Sequence, residues 1–441
     1  MAPFRLGQSV ARVARARLTR RAALASGGAG LASALLDRLD PNARVAAAQE
    51  ATPAATPSIG ENLPPQVPGW MQTPGDYVSP YGERAPAEEG VVRLSDPPGT
   101  SVPIVSFSPL ADLHGTLTPN ALFYEIHFGG IPAIDPSEHR LLVHGLVERP
   151  TLFTMDDLRR FPAVSVTHFL ECAGNSFSEW TEASLSPTVQ LSSGWTSSAE
   201  WTGVPVATVL REVGIQPGGG WILAEGADAA GLNRSIPTAK AMADGLLVYA
   251  ANGEDLYPSQ GFPLRLLLPG FEGNTNIKWL RRLKIGRDPW HTRWETRYYG
   301  DLMPDGTARE FTFVMEAKSV ITSPSGGQTL PGPGFVEITG LAWSGRGRVA
   351  RVEVSTDGGQ SWTAAALQEP VLPMAWTRFR LPWQWDGQPT RLQSRAIDET
   401  GYVQPTIAEL VEARGVNSIF HNNSIKTWAI AADGGVSNVY A

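Results

Sequence analysis

The chain has 441 residues, enough for two or three folded units at ~150 residues each. Apolar residues make up 42% and charged residues 18%, below the ~25% charged of typical soluble domains, so core material is ample and wholesale disorder is excluded. A formal net charge of -7 lacks the basic footprint of a nucleic-acid binder, and 45 Gly with 36 Pro favour short strands and turns over long helices.

The first 36 residues carry Arg5, Arg12, Arg15, Arg17, Arg20 and Arg21 and no acid until Asp37, followed by the small apolar run from Ala22 to Leu36. Thr19-Arg20-Arg21 before that run reads as a twin-arginine export signal over residues 1–48, with a cleavage zone near Ala46-Ala47-Ala48. Export by this route implies a periplasmic protein folded before transport. No apolar window long enough to span a bilayer follows, so no membrane span is expected. The chain has one cysteine, Cys172, which excludes an internal disulfide and leaves a lone thiol to explain. Residues 49–100 are rich in Pro, Gly, Ala and Glu and read as an extended surface arm.

Residues 101–310 mix helix and strand patterns, giving an α+β expectation. Met155–Phe161 and Ala207–Val213 have amphipathic helical spacing, while Ser165–Leu170, Trp221–Glu225, Leu246–Ala250 and Leu264–Leu268 read as strands. From residue 311 to 441 helix signals fade. Val349–Val354, Phe379–Leu381 and Arg391–Ile397, with a turn at Asp357-Gly358-Gly359, have the spacing of an immunoglobulin-like β-sandwich. The tail from Arg414 is polar but carries Ile419, Phe420, Ile425 and Trp428, which should pack against the fold.

Several chemistries are excluded. No C-x-x-C-H is present, so the chain attaches no haem of the c type, and one thiol cannot build a thiolate zinc cluster or a cubane iron-sulfur centre. No G-x-S-x-G elbow and no phosphate loop ending in Lys-Ser or Lys-Thr occurs. What remains is His168-Phe169-Leu170-Glu171-Cys172-Ala173-Gly174-Asn175-Ser176, where a soft thiolate ligand follows a strand and is itself followed by small residues. A second stretch, Gly261-Phe262-Pro263-Leu264-Arg265-Leu266-Leu267-Leu268-Pro269-Gly270, puts Arg265 in an apolar run, with Asn274, Asn276, Ile277, Lys278 and Trp279 after it. Arg and Lys around a Gly-rich turn suit a structural ion pair or a phosphorylated cofactor.

The L-E-C-A-G-N, G-F-P-x-R-L-L-L-P-G and N-x-K-W-L stretches, in that order, resemble the molybdopterin domain of the sulfite oxidase family. Ser355-Thr356-Asp357-Gly358-Gly359 with Trp362 resembles that family's dimerisation domain. Within the family the chain is most similar to the molybdenum subunit of sulfane dehydrogenases, the SoxC type, through Leu122-Phe123-Tyr124-Glu125, Gly129-Gly130-Ile131-Pro132, Glu179-Trp180, Pro289-Trp290-His291-Thr292 and His421-Asn422-Asn423.

The resemblance implies a molybdenum-molybdopterin cofactor with Cys172 as the protein ligand to the metal. It places Tyr124, Glu125, Ile126, His127, Phe128, Asp228, Gln260, Arg265, Asn276, Ile277 and Lys278 around the pterin. It further implies a homodimer through the C-terminal domain and electron transfer to a c-type cytochrome. Some positions depart from the family. Its substrate-binding arginine falls on Ile126, the histidine two places later on Phe128, a second arginine on Phe177, the cofactor histidine on Gln260 and the active-site tyrosine on His291. His291 is then the expected proton-handling catalytic residue. With two cations missing, a free dianion loses charge-assisted partners, so the favoured substrate is a sulfane sulfur on a carrier protein. The alternatives are a homodimeric dehydrogenase of free sulfite that uses Arg293 or Arg297, a sulfoxide reductase, and an interaction protein whose cofactor site has decayed.

Overall fold

The structure, a computed structural model, describes Met71, residues 74–75, 78–95 and 103–441; the expected export signal and most of the expected proline-rich arm lie outside these residues. Contact density divides the chain into residues 1–90 and Val91–Ala441. In the first unit the described stretch forms one 3-10 turn, Pro86–Glu88, opened by proline. The remaining elements belong to the second unit.

Three sheets and a short hairpin, Asp301–Leu302 with Ala308–Arg309, build the region that precedes the sandwich. Leu94–Ser95, Ile104–Phe107 and Glu125–His127 form a small antiparallel sheet. A five-stranded sheet runs in the order Glu254–Asp255, Leu246–Ala251, Thr196–Pro205, Val164–Glu171, with Arg265–Leu267 also paired to Leu246–Ala251. Another runs Thr151–Thr154, Arg140–Gly145, Leu280–Gly286, Trp221–Gly226, Asn233–Pro237, its Arg140–Gly145 and Leu280–Gly286 strands parallel. The helices expected near 155 and 207 are Met155–Arg159 and Val206–Val213. The first is set by a capping box in which Thr154 Oγ1 accepts from Asp157 N at 3.1 Å and Asp157 Oδ2 accepts from Thr154 N at 2.9 Å. Val206, Val209, Leu210 and Val213 line one face of the second and are buried with Leu247, Leu264 and Leu266.

The C-terminal region is a β-sandwich. One sheet contains Lys318–Ser323, Gly334–Trp343, Thr377–Trp385 and Ala366–Leu367; the other contains Thr363–Ala364, Val349–Ser355, Thr390–Asp398, Thr427–Ile430 and Val436–Val439. The expected strands at 349, 379 and 391 are therefore present and longer than their sequence signals. Helix signals fade beyond residue 310, yet one helix stands there. Ile407–Arg414 is a helix capped by Thr406 and Glu409, with Ile407, Leu410 and Val411 at helical spacing against Trp180; the Thr-x-x-Glu capping box before that spacing was its available sequence signal. The tail packs as expected at Trp428, which is 1% exposed and whose indole N–H donates to Ile321 O at 3.2 Å. Ile419 instead stays exposed.

Strand Val164–Glu171 connects this architecture to function. Alternation along it sends Phe169 into the sandwich core beside Trp343 and Leu170 into the core of the preceding sheet with Phe123 and Trp201. Cys172 follows two residues after Leu170, on the same side, and both line one cleft.

Replacing Trp428 with alanine removes the largest apolar anchor of the tail. The expected cost is ~3–5 kcal/mol of unfolding free energy, read from the urea midpoint of the full chain. An unchanged midpoint would show that the tail is not integral to the sandwich.

Candidate active site

An open cleft is lined by Tyr124, Ile126, Phe128, Cys172, Gln260, Arg265, Asn276 and Lys278 among the expected residues. It also takes Phe123, Leu170, Leu232, Ser259, Gly273, Asn274 and Tyr299. Cys172 opens into it half-buried. Its amide donates to Trp195 O at 2.9 Å, and its sulfur accepts from Gly174 N at 3.4 Å. Burial, with the charges of Glu272 and Glu171, outweighs that hydrogen bond and pushes the thiol up to about 12.

Two cations share the cleft. Arg265 is 4% exposed; it donates to Gln260 O at 2.9 Å and Asn276 O at 3.3 Å, lies over the Trp201 ring, and leaves Nε without a partner. Lys278 Nζ donates to Ile126 O at 3.0 Å, Ser259 O at 3.2 Å and His127 Nδ1 at 2.7 Å. No carboxylate lies within ion-pair distance of either cation among the described residues. Burial lowers Arg265 to about 10, and burial together with Arg265 lowers Lys278 to about 7. Both values follow from keeping positive charge out of water without a counter-ion. Gly261, at φ +112°, lets these side chains approach, since a Cβ there would sit 3.1 Å from the Cβ atoms of both. At Gly273 a Cβ would lie 2.9 Å from Tyr124 Oη and 3.3 Å from Cys172 Cα, so only glycine leaves room beside the sulfur.

Other expected residues stand behind the lining. His127 bridges Lys278 and Glu125, accepting at Nδ1 and donating from Nε2 to Glu125 Oε2 at 3.2 Å, which fixes the neutral Nε2–H tautomer. Glu125 also pairs with Arg93. Burial would raise its carboxyl, but hydrogen bonds from His127 and Ser259 and the Arg93 charge hold it near 2. Ile277 is a fully buried core residue, and Asp228 Oδ1 accepts from Leu232 N at 3.4 Å, shaping the loop that brings Leu232 to the cleft. Asn276 reaches the cleft, but its amide is spent on Leu268 N, Phe271 O and Glu272 O. Gln260 holds Asn120 O at 3.1 Å.

His291 stands apart from the cleft. Its side chain is 56% exposed, pairs through Nδ1 with Glu310 at 2.6 Å, and is not among the cleft residues. The bond from Trp290 N to Ser235 Oγ, together with φ +45° at His291, fixes a turn in which Glu310 holds the ring. Tyr299, eight residues on, does line the cleft, as Tyr124 does, and burial and Cys172 raise its hydroxyl well above its usual pKa. Sequence reasoning missed it because one tyrosine in an aromatic stretch carries no positional signal. It also missed Arg234 and Glu272. Arg234 is fully buried and lies over the Tyr299 ring at 5.1 Å, flanked by Glu272 at 3.1 Å and Glu295 at 3.6 Å. A lone acid in the Gly-rich turn after the Arg265 motif was the available hint of Glu272.

This donor set fits a phosphorylated, sulfur-bound metal cofactor: one thiol in a cleft, and two buried cations without counter-ions. In the cofactor-free protein the depressed Lys278 binds fewer protons folded than unfolded, so its contribution to stability rises with pH between about 7 and its ordinary value near 10.5. The expected slope is at most ~1.4 kcal/mol per pH unit. Lys278→Met should flatten it in urea titrations across that range, and an unflattened slope would mean that Lys278 keeps its ordinary affinity.

Comparison with known proteins agrees with this chemistry. Residues 128–294 match the oxidoreductase molybdopterin binding domain and residues 309–428 the Mo-co oxidoreductase dimerisation domain. Sulfite oxidase of Gallus gallus is 33% identical over 385 residues, 82% of each chain. The mitochondrial sulfite oxidase of Homo sapiens is 34% identical over 327 residues, 68% of this chain, which spans 60% of that enzyme's length. The crystal structure of the sulfane dehydrogenase SoxCD from Paracoccus pantotrophus superposes with a TM-score of 0.83 at 46% identity, covering 85% of this chain and 98% of that one. With its thiol, its uncompensated cations and its sandwich, the chain belongs to the sulfite oxidase family of molybdenum-molybdopterin oxidoreductases.

Proposed function

We propose that the chain is the molybdenum subunit of a periplasmic dehydrogenase that oxidises sulfane sulfur carried on a protein and passes the electrons to a c-type cytochrome. The observation that carries this reading is the wall around Cys172. Where the family resemblance expects anion-binding side chains, Ile126 and Phe128 line the cleft with Leu232 and Tyr299. Phe177 stacks on Trp195 with centroids 5.2 Å apart. Arg234, the nearby buried arginine, already faces two carboxylates and offers a free dianion little net charge. Arg293 and Arg297, which a sulfite dehydrogenase would need at the site, lie over Tyr298 and do not line the cleft.

In this reading Cys172 holds the metal, while Arg265 and Lys278 answer the phosphate and polar edge of the pterin. When bound, the cofactor supplies oxygen-atom transfer and two-electron redox chemistry. Oxidation adds one oxygen from water to the substrate sulfur and releases two protons and two electrons. The protein's contribution is to orient the sulfur against an apolar wall, limit water there, and present the Tyr299 hydroxyl, protonated throughout the neutral range, as a hydrogen-bond donor to developing negative charge. The absence of a C-x-x-C-H motif means that the electrons leave to another chain. Arg20-Arg21 and the apolar run after them support export before that transfer.

Protein purified from a host with an intact pterin pathway should hold about one molybdenum per chain, and Cys172→Ser should hold almost none by elemental analysis. Metal-free wild-type protein would sink the enzymatic reading. Free sulfite should reduce a cytochrome acceptor poorly, and Ile126→Arg should lower KM for sulfite by about tenfold or more, as one charge-assisted contact would. Efficient sulfite turnover by the wild type would favour the sulfite dehydrogenase instead.

A further inference from the structure

The residues on both sides of Cys172 are tied to the C-terminal region, one through its carboxylate and one through its backbone carbonyl. On the N-terminal side Glu171 is 1% exposed. Its Oε1 accepts from Lys318 Nζ at 3.2 Å and its Oε2 from Trp343 Nε1 at 2.6 Å. On the C-terminal side Ala173 O accepts from the amide of His421 at 2.7 Å. Further along the loop, Ser176 Oγ accepts from Lys318 Nζ at 3.0 Å and Ser176 O from Asn422 Nδ2 at 3.2 Å. Lys318 closes the set by donating to Asn422 O at 2.9 Å. Ser176 and His421 both have positive φ, 67° and 56°, conformations that persist where surrounding contacts over-determine them.

His421 reaches one segment further. Its Nε2 lies 3.3 Å from Glu272 Oε2, and Glu272 Oε1 holds Arg234, whose guanidinium covers Tyr299. Gly273, next to Glu272, is the residue packed against Cys172 Cα. The same C-terminal segment therefore bonds the backbone after the sulfur and the turn packed over it.

We infer that the C-terminal region is a structural part of the metal centre as well as a dimerisation module, with Lys318 and His421 as positioning residues that fix the Cys172 sulfur across the boundary between the two regions. A buried ammonium between a carboxylate, a hydroxyl and a carbonyl is held only while all three keep their places. Movement of the sandwich against the preceding sheets would consequently displace Glu171 and Ser176, and the sulfur between them. The inference rests on the reading of Cys172 as metal ligand for its consequence, but not for its mechanics.

The test uses the full chain as isolated, with three variants: Lys318→Met, the double variant Glu171→Gln/Lys318→Met, which removes the stranded charge, and His421→Gln, which keeps the backbone N–H. Two readouts are taken: amide hydrogen exchange of residues 171–177 and 272–274, and molybdenum retained after dialysis against a chelator. Removing an outer-shell partner costs about 10–100-fold in metal affinity. Lys318→Met should therefore speed exchange in 171–177 and lose metal about tenfold faster or more, the double variant recovering part of both. His421→Gln, which loses only the imidazole contact with Glu272, should speed exchange in the Glu272–Asn274 turn and loosen the metal without altering exchange in the outer strands of the sandwich. If folded Lys318→Met and His421→Gln exchange and retain metal as the wild type does, the inference is overturned. If Lys318→Met does not fold, the double variant and His421→Gln decide by the same criterion. Wild-type protein without molybdenum would overturn the functional reading while the exchange arm still decides the clamp.

Discussion

Uncompensated positive charge in the cleft is the constraint from which most of the site follows. Among the described residues Arg265 and Lys278 have no carboxylate within ion-pair distance, so Arg265 turns to backbone carbonyls, with its Nε left over, and Lys278 to backbone carbonyls and a neutral imidazole. Carbonyl dipoles satisfy hydrogen bonds but cancel no charge, and the downward shifts of both groups express that deficit. An anionic group with phosphate chemistry removes it, which links the site to the family's cofactor on physical grounds as well as on similarity. The relay behind Lys278, through His127 and Glu125 to Arg93, fixes the ammonium's direction without neutralising it, because the carboxylate is already claimed at the far end.

Where the chemistry is local in sequence, it was legible. Cys172, Arg265 and Lys278 sit in short motifs whose residue types already restrict what they can do, and the structure gathers all three on one cleft. Strands with strong apolar runs, such as those near 221, 246 and 265, were readable for the same reason. The long strand Thr196–Pro205 was not, because its serines and threonines face buried hydrogen bonds instead of an alternating apolar face. His291 and Tyr299 show the limit at the site. A one-residue correspondence in a turn predicted a titratable ring in the cleft, but side-chain direction there depends on Ser235, Glu295 and Glu310, which come from distant or irregular segments. Glu171 and Lys318, 147 residues apart, could not be paired from sequence, since each alone reads as an ordinary charged residue in a β-prone run.

The thiol's environment gives a reason for the single cysteine to be placed so deep. A sulfur held near 12 is almost wholly protonated at neutral pH, and a protonated thiol is a poor nucleophile and a poor target for oxidants. Such a residue stays chemically quiet until a metal ion, whose charge favours the thiolate, displaces its proton. The same burial that raises the thiol raises Tyr124 and Tyr299 on either side of it, so three acidic groups in one cleft all resist ionisation. The lining beside the thiol offers neutral hydroxyls and apolar side chains, its two cations being Arg265 and Lys278, while Arg234 behind Tyr299 is already shared between two glutamates. A neutral or covalently carried sulfur meets the same wall without the desolvation cost of a free dianion. The burial that keeps Cys172 protonated before the cofactor arrives thus also keeps the Tyr124 and Tyr299 hydroxyls beside it as hydrogen-bond donors.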